Sequence, residues 1–219
     1  MVLLFRRMCL AFGVLTLCAC QMTLPTLSAL THPKSAPSVT FAHSGIVLRG
    51  PDGYCVDTPS LRDEATTGFA LMANCDALKG RTLSADDAPL AVLTASISAP
   101  ASSPAVADPD VLAAFFATDS GRAALARSGQ SSDVTLIDSY ARGYAYYIHA
   151  LDRSPNPMGA FSHEYWRAVA LIKGRIVTLT VMPFTAYPLS GAQMKRQITY
   201  FTEDVLQANL DDRSVIVSE

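Results

Sequence analysis

Residues 165–184 read YWRAVALIKGRIVTLTVMPF, two apolar runs, Tyr165–Ile172 and Ile176–Phe184, separated by Lys173-Gly174-Arg175. A short glycine-containing interruption between two strand-like runs predicts an antiparallel hairpin. In the second run Val177, Leu179 and Val181 alternate with Thr178, Thr180 and Met182. A period of two places the first set on a core face and leaves the other face half polar. That core face needs a cover, and the following segment supplies one. Ser190 is positioned as an N-cap, and Met194, Ile198, Phe201, Val205 and Leu210 fall at offsets of 0, 4, 7, 11 and 16, with Lys195, Arg196, Glu203 and Asp204 off the stripe. This pattern predicts an amphipathic helix laid on the sheet.

Upstream, Val134–Asp138 and Tyr144–Leu151 read as two further strands of the same meander. Asp108-Pro109 opens a helix with Leu112, Phe115 and Phe116 at helical spacing, and Ser120–Ser128 a second, with Ala123, Ala124 and Leu125 turned inward and Gly129 as its stop. Leu90–Ile97 and Gly68–Asn74 read as strands. Gly50-Pro51-Asp52-Gly53 is a turn between Ile46–Leu48 and Tyr54–Val56. Strands and helices are grouped and not strictly alternating, so the expected class is α+β: an antiparallel sheet with the C-terminal amphipathic helix packed on one face. Val215–Val217 is a candidate edge strand.

The 219 residues are 50% hydrophobic and 16% charged, and 17 basic against 19 acidic residues leave a net charge of −2. These values exclude a disordered polymer, a collagen-like repeat and a nucleic-acid binder built on a basic surface. Hydrophobicity concentrates at the start. Arg6 and Arg7 precede an apolar run from Met8 to Leu17, too short for a permanent bilayer span, with the small Ala19 before Cys20.

Leu17-Cys18-Ala19-Cys20 resembles the lipobox of bacterial lipoprotein precursors. The resemblance implies thioether lipidation of Cys20, removal of residues 1–19 and acylation of the new amine. Gln21 at the next position implies the outer membrane. Residues 20–42, rich in Ser, Thr and Pro, then read as a lipidated tether, and residues 43–219 as a single domain. Loss of the signal removes two arginines, and 15 basic against 19 acidic residues give a mature charge of −4. Tyr54–Leu78, with Ser60-Leu61-Arg62 at its middle, resembles exported alphaproteobacterial proteins, and the hairpin leading into a long C-terminal helix is similar to PsbP-like domains. Neither likeness implies an activity.

In an exported chain Cys55 and Cys75 are expected to pair; a metal pair or two free buried thiols are the alternatives. Six polar aromatics gather in one quarter of the chain: Tyr140, Tyr144, Tyr146, Tyr147, Tyr165 and Trp166. On adjacent strands Tyr144, Tyr146, Tyr147, Tyr165 and Trp166 line a groove for an envelope protein or glycan, or pack across strands. Catalytic signals are weak. Asp119-Ser120-Gly121 sits where one helix ends and the next begins, a capping position, and His163-Glu164 lacks the second histidine of a zinc-protease helix. His32 and His43 lie in or beside the tether, and His149 sits in a strand. Asp86-Asp87 and Asp108-Pro109-Asp110 lack the spacing of a calcium loop. No metal, cofactor or nucleic acid is expected. The expected function is a non-catalytic, membrane-anchored envelope lipoprotein; the alternatives are a periplasmic hydrolase, indicated by convergence of His149, His163 and Asp119, Asp138 or Asp152, and a carrier of an apolar ligand with a dry cavity under the last helix.

Overall fold

The computed structural model describes residues 35–82, 91–156 and 159–210. Cys20, the signal segment, most of the tether, His32, Asp86-Asp87 and Val215–Val217 lie outside the described residues. In chain order the elements are β1 (Ser35–Ala36), β2 (Ser38–Phe41), β3 (Ile46–Arg49), β4 (Tyr54–Asp57), β5 (Arg62–Asp63), β6 (Gly68–Asn74), α1 (Cys75–Leu78), β7 (Ala91–Pro100), α2 (Pro109–Ala117), α3 (Asp119–Leu125), β8 (Val134–Arg142), β9 (Ala145–Asp152), β10 (Glu164–Ile172), β11 (Arg175–Pro183) and α4 (Gly191–Leu210).

The main sheet runs β1-β4-β6-β7-β11-β10-β9-β8, with β5 on β6, and among the described residues its strand pairings are antiparallel. The protein is α+β, as its patterning predicts. The hairpin that decides the fold closes more tightly than expected: Ile172 pairs with Arg175, so Lys173 and Gly174 alone make the turn. Both have positive φ, 49° and 74°, the combination a type I′ turn requires. Arg175 therefore belongs to β11, where it is buried and its guanidinium donates to the carbonyls of Thr66 (2.9 Å), Ser98 (2.9 Å) and Ala65 (3.2 Å). Pairing of β11 with β7 joins the two halves of the chain.

The Gly50–Gly53 turn forms, with Tyr54 N donating to the Pro51 carbonyl at 3.0 Å, but the strands on either side of it do not pair. β3 pairs with β2 in a separate two-stranded sheet, while β4 pairs with β1 and β6. A reversal sets direction only; Phe41, Ile46 and Leu48 find cover against the α4 side of the core, whereas Val56 is used beside Met72. Residues 35–41, read from sequence as tether, accordingly form β1 and β2.

α4 lies on one sheet face, with Met194, Ile198, Phe201 and Val205 buried against Leu179, Val181, Trp166 and Ala168. Leu210 is exposed: sixteen residues at 100° each place it about 160° from Met194 around the helix. The other face of β8–β10 is covered by α2 and α3, which bury Leu112, Phe116 and Leu125 against Tyr146, Ile148, Tyr165 and Val169. Phe115 and Ala124 face solvent and not this core. Asp108 caps α2 as expected, its Oδ1 accepting from Asp110 N (2.9 Å) and Val111 N (3.3 Å). The cap of α3 is Thr118, whose hydroxyl accepts from Gly121 N at 3.0 Å. Gly121 is glycine because a Cβ there would collide with the Phe115 backbone where α2 and α3 meet.

Candidate functional site

Along α4 each apolar anchor is preceded by a polar residue: Gln193 before Met194, Gln197 before Ile198, Tyr200 before Phe201 and Asp204 before Val205. A step of one residue turns the helix about 100°, so these residues and Arg196 form a polar stripe beside the buried one. The stripe faces Pro51 and Asp52 of the Gly50–Gly53 turn across an open cleft of about 590 Å³.

Both walls are held in place locally. Ser190 and Gln193 form a capping box at the start of α4: Gln193 N donates to Ser190 Oγ (3.3 Å), and Ser190 N and Oγ donate to Gln193 Oε1 (2.9 and 2.8 Å). On the opposite wall Pro51 is buried, and a Cβ on Gly50 would run into the Met72 side chain. The far end of α4 is tied to β3 by Asn209, which accepts from Val47 N (2.9 Å) and donates to Val47 O (2.8 Å).

The cleft carries opposite charges at its two ends. Asp204 and Asp52 line one part, and burial pushes the Asp204 carboxyl up; Asp52 raises it further, Arg49 pulls it down and Glu203 adds a smaller push. Arg196 and Gln193 line the part nearer the helix start. Between them lies Gln197, only 7% exposed, whose Nε2 is buried with no hydrogen-bond partner among the described residues. These groups hydrogen-bond and pair charge. The sequence placed Arg196 and Asp204 off the apolar stripe and Asp52 in a turn but assigned none of these groups to a site, because the cleft becomes visible only when the Pro51-Asp52 turn is set against the helix.

Of the two sequence readings of the aromatic cluster, a groove or packing across strands, the structure forms the packing. β9 and β10 alternate, so Tyr146 and Tyr165 point toward α2 and α3 while Tyr147 and Trp166 point under α4. Tyr165 donates to the Leu125 carbonyl (2.7 Å), Tyr146 to Ser139 Oγ (3.0 Å), and Tyr140 stacks on Tyr147. Only Tyr144 of the five is exposed, at 77%, on the β8–β9 turn. Cross-strand and helix packing accounts for the cluster. The Lys195 ammonium covers its edge, 4.3 Å from the Tyr140 ring centre and 3.6 Å from Asp138.

Cys55 and Cys75 are bonded, with Cα atoms 4.9 Å apart, tying β4 to the start of α1 at the end of β6. The histidines do not converge. His149, on the α4 face, donates to Glu164 (2.7 Å), whereas the Asp152 side chain belongs to the opposite face. His163 meets the Asp152 backbone carbonyl (2.6 Å) and not its carboxylate, and Asp119 pairs with Arg122 (2.6 Å). The space under α4, where an apolar ligand would sit, is filled by Met194, Ile198, Phe201 and Val205. No described helix is long and apolar enough to cross a membrane, and among the described residues no group of three or more potential metal ligands occurs.

The fold and cleft together define a disulfide-bonded α+β domain with a polar cleft that carries opposite charges at its two ends. Compared with known families and curated proteins, the chain matches no family model and no curated protein.

Proposed function

We propose that the protein is an exported lipoprotein, anchored through lipid on Cys20, whose domain binds a partner at the cell envelope through the α4 cleft. The observation that carries this reading is the Cys55–Cys75 bond, since disulfides persist in oxidising compartments and are rare in reducing ones. The Leu17–Cys20 motif supplies the matching address, and two or three acyl chains hold a protein durably where one does not. Gln21 after the lipidated cysteine supports, through the lipobox resemblance, an anchor in the outer membrane with the domain on its periplasmic side. A binding role is supported by the cleft's amides, guanidinium, phenol and carboxylates, which recognise ligands through hydrogen bonds and charge.

The test is metabolic labelling with palmitate. The chain should take up label, and Cys20→Ser should abolish it and leave precursor at full length. In the exported, denatured chain Cys55 and Cys75 should resist alkylation until reduced. Label retained by Cys20→Ser refutes the anchor, and free thiols at both positions refute the export reading.

A further inference from the structure

The cleft is charged in opposite senses at its two ends, and one buried amide between them lacks a partner. Asp52 and Asp204 are two carboxylates lining the same space, close enough for one to raise the other. A cation seated between them would relieve that repulsion. Arg196 lies eight residues toward the helix start, about 12 Å along the axis at 1.5 Å per residue. An extended peptide covers that distance in roughly four residues. Gln197 lies between the two ends, 7% exposed, its Nε2 unpaired among the described residues. An unpaired buried donor is costly, and the broad χ3 torsion of glutamine lets the amide turn toward an acceptor in the cleft.

We propose that this cleft binds a short peptide by its two charged ends: the ammonium between Asp52 and Asp204, the carboxylate at Arg196, and a peptide carbonyl accepting from Gln197. The proposal rests on the reading of the domain as a binding module and adds the chemical class of its ligand. Acidic residues alone would attract any cation. The spacing to Arg196 and the amide between select a zwitterion of about tetrapeptide length over a simple amine or metal ion.

The probe is tetra-alanine with free termini, titrated by calorimetry into the full chain purified in detergent. Saturable binding is expected. N-acetylation or C-amidation of the probe should each weaken it roughly tenfold, the loss of one charge-assisted contact. Asp204→Asn and Arg196→Gln should weaken the free peptide comparably, and each should erase the effect of capping the end it serves. In glutamine-¹⁵N-labelled chain the Gln197 side-chain amide should shift on binding. Circular dichroism guards against misfolding, and Asp204→Asn should melt no lower than the parent because it removes the repulsion with Asp52. Capping without effect, or binding indifferent to both substitutions, overturns the proposal. If tetra-alanine does not bind but a photoreactive group at position 200 captures an envelope partner in intact cells, the ligand class is wrong and the binding role survives. If nothing is captured either, the binding role falls as well.

Discussion

Asn209 and Val47, 162 residues apart, exchange two hydrogen bonds: Val47 N donates to Asn209 Oδ1 at 2.9 Å and Asn209 Nδ2 donates to Val47 O at 2.8 Å. The side-chain amide stands where the next strand's backbone would be, and it fastens the last turn of α4 to β3. Through that contact the helix is held beside the Gly50–Gly53 turn that follows β3, so the width of the cleft depends on it. Asn209→Ala strands both Val47 groups and should cost about 2–4 kcal/mol, read by urea denaturation. An unchanged midpoint for Asn209→Ala would remove this residue from the account.

The split of the aromatic cluster makes opposite predictions for neighbouring residues. Trp166 is 2% exposed and stacks on His149 with ring centroids 4.5 Å apart, so Trp166→Ala should destabilise by roughly 3–5 kcal/mol. Tyr144 stands in solvent, and Tyr144→Ala should stay within about 0.5 kcal/mol of the parent. Denaturation curves decide it. Were the rings an open groove, Trp166→Ala would fold almost as well as the parent.

Asp152 should make the domain acid-sensitive. Its fully buried carboxylate accepts from Arg127 N (3.0 Å), Ser154 N (2.9 Å) and the Ser154 hydroxyl, with Arg127 Nε at 3.4 Å. Burial pushes this carboxyl up, but the Ser154 and Arg127 contacts outweigh it and hold it below the usual range. A depressed native value stabilises fully above the unfolded value near 3.9, and the contribution fades as pH falls through the native value. Stability should therefore hold from about pH 7 to 5 and drop below about 4 more steeply in the parent than in Asp152→Asn. At pH 7 the substitution should cost about 2 kcal/mol. Parallel pH profiles for the two chains would contradict this role.

Much of the fold was legible because its determinants are local. Lys173-Gly174-Arg175 marks a reversal, the two-residue period of Val177, Leu179 and Val181 specifies a core face, and Ser190 starts a helix whose stripe of Met194, Ile198, Phe201 and Val205 specifies its buried side. Pairing of Cys55 with Cys75 was the expectation because they are the two cysteines beyond the N-terminal segment, and the structure bonds them.

What periodicity cannot express is what lies opposite an apolar face. The same alternation in β9 and β10 is compatible with one covered face or two; only packing of α2 and α3 against Tyr146 and Tyr165 made it two. The cleft is likewise a product of placement. Asp52 and Asp204 are 152 positions apart in the chain, and their coupling arises because β3 pairs with β2, β4 passes into the main sheet, and Asn209 holds α4 to β3. Sequence by itself determined the strands of the meander, the C-terminal helix and the buried stripe of Met194, Ile198, Phe201 and Val205. Tertiary structure decided which strands meet and which charges face each other, because those depend on burial summed over the whole chain and not on any residue's near neighbours.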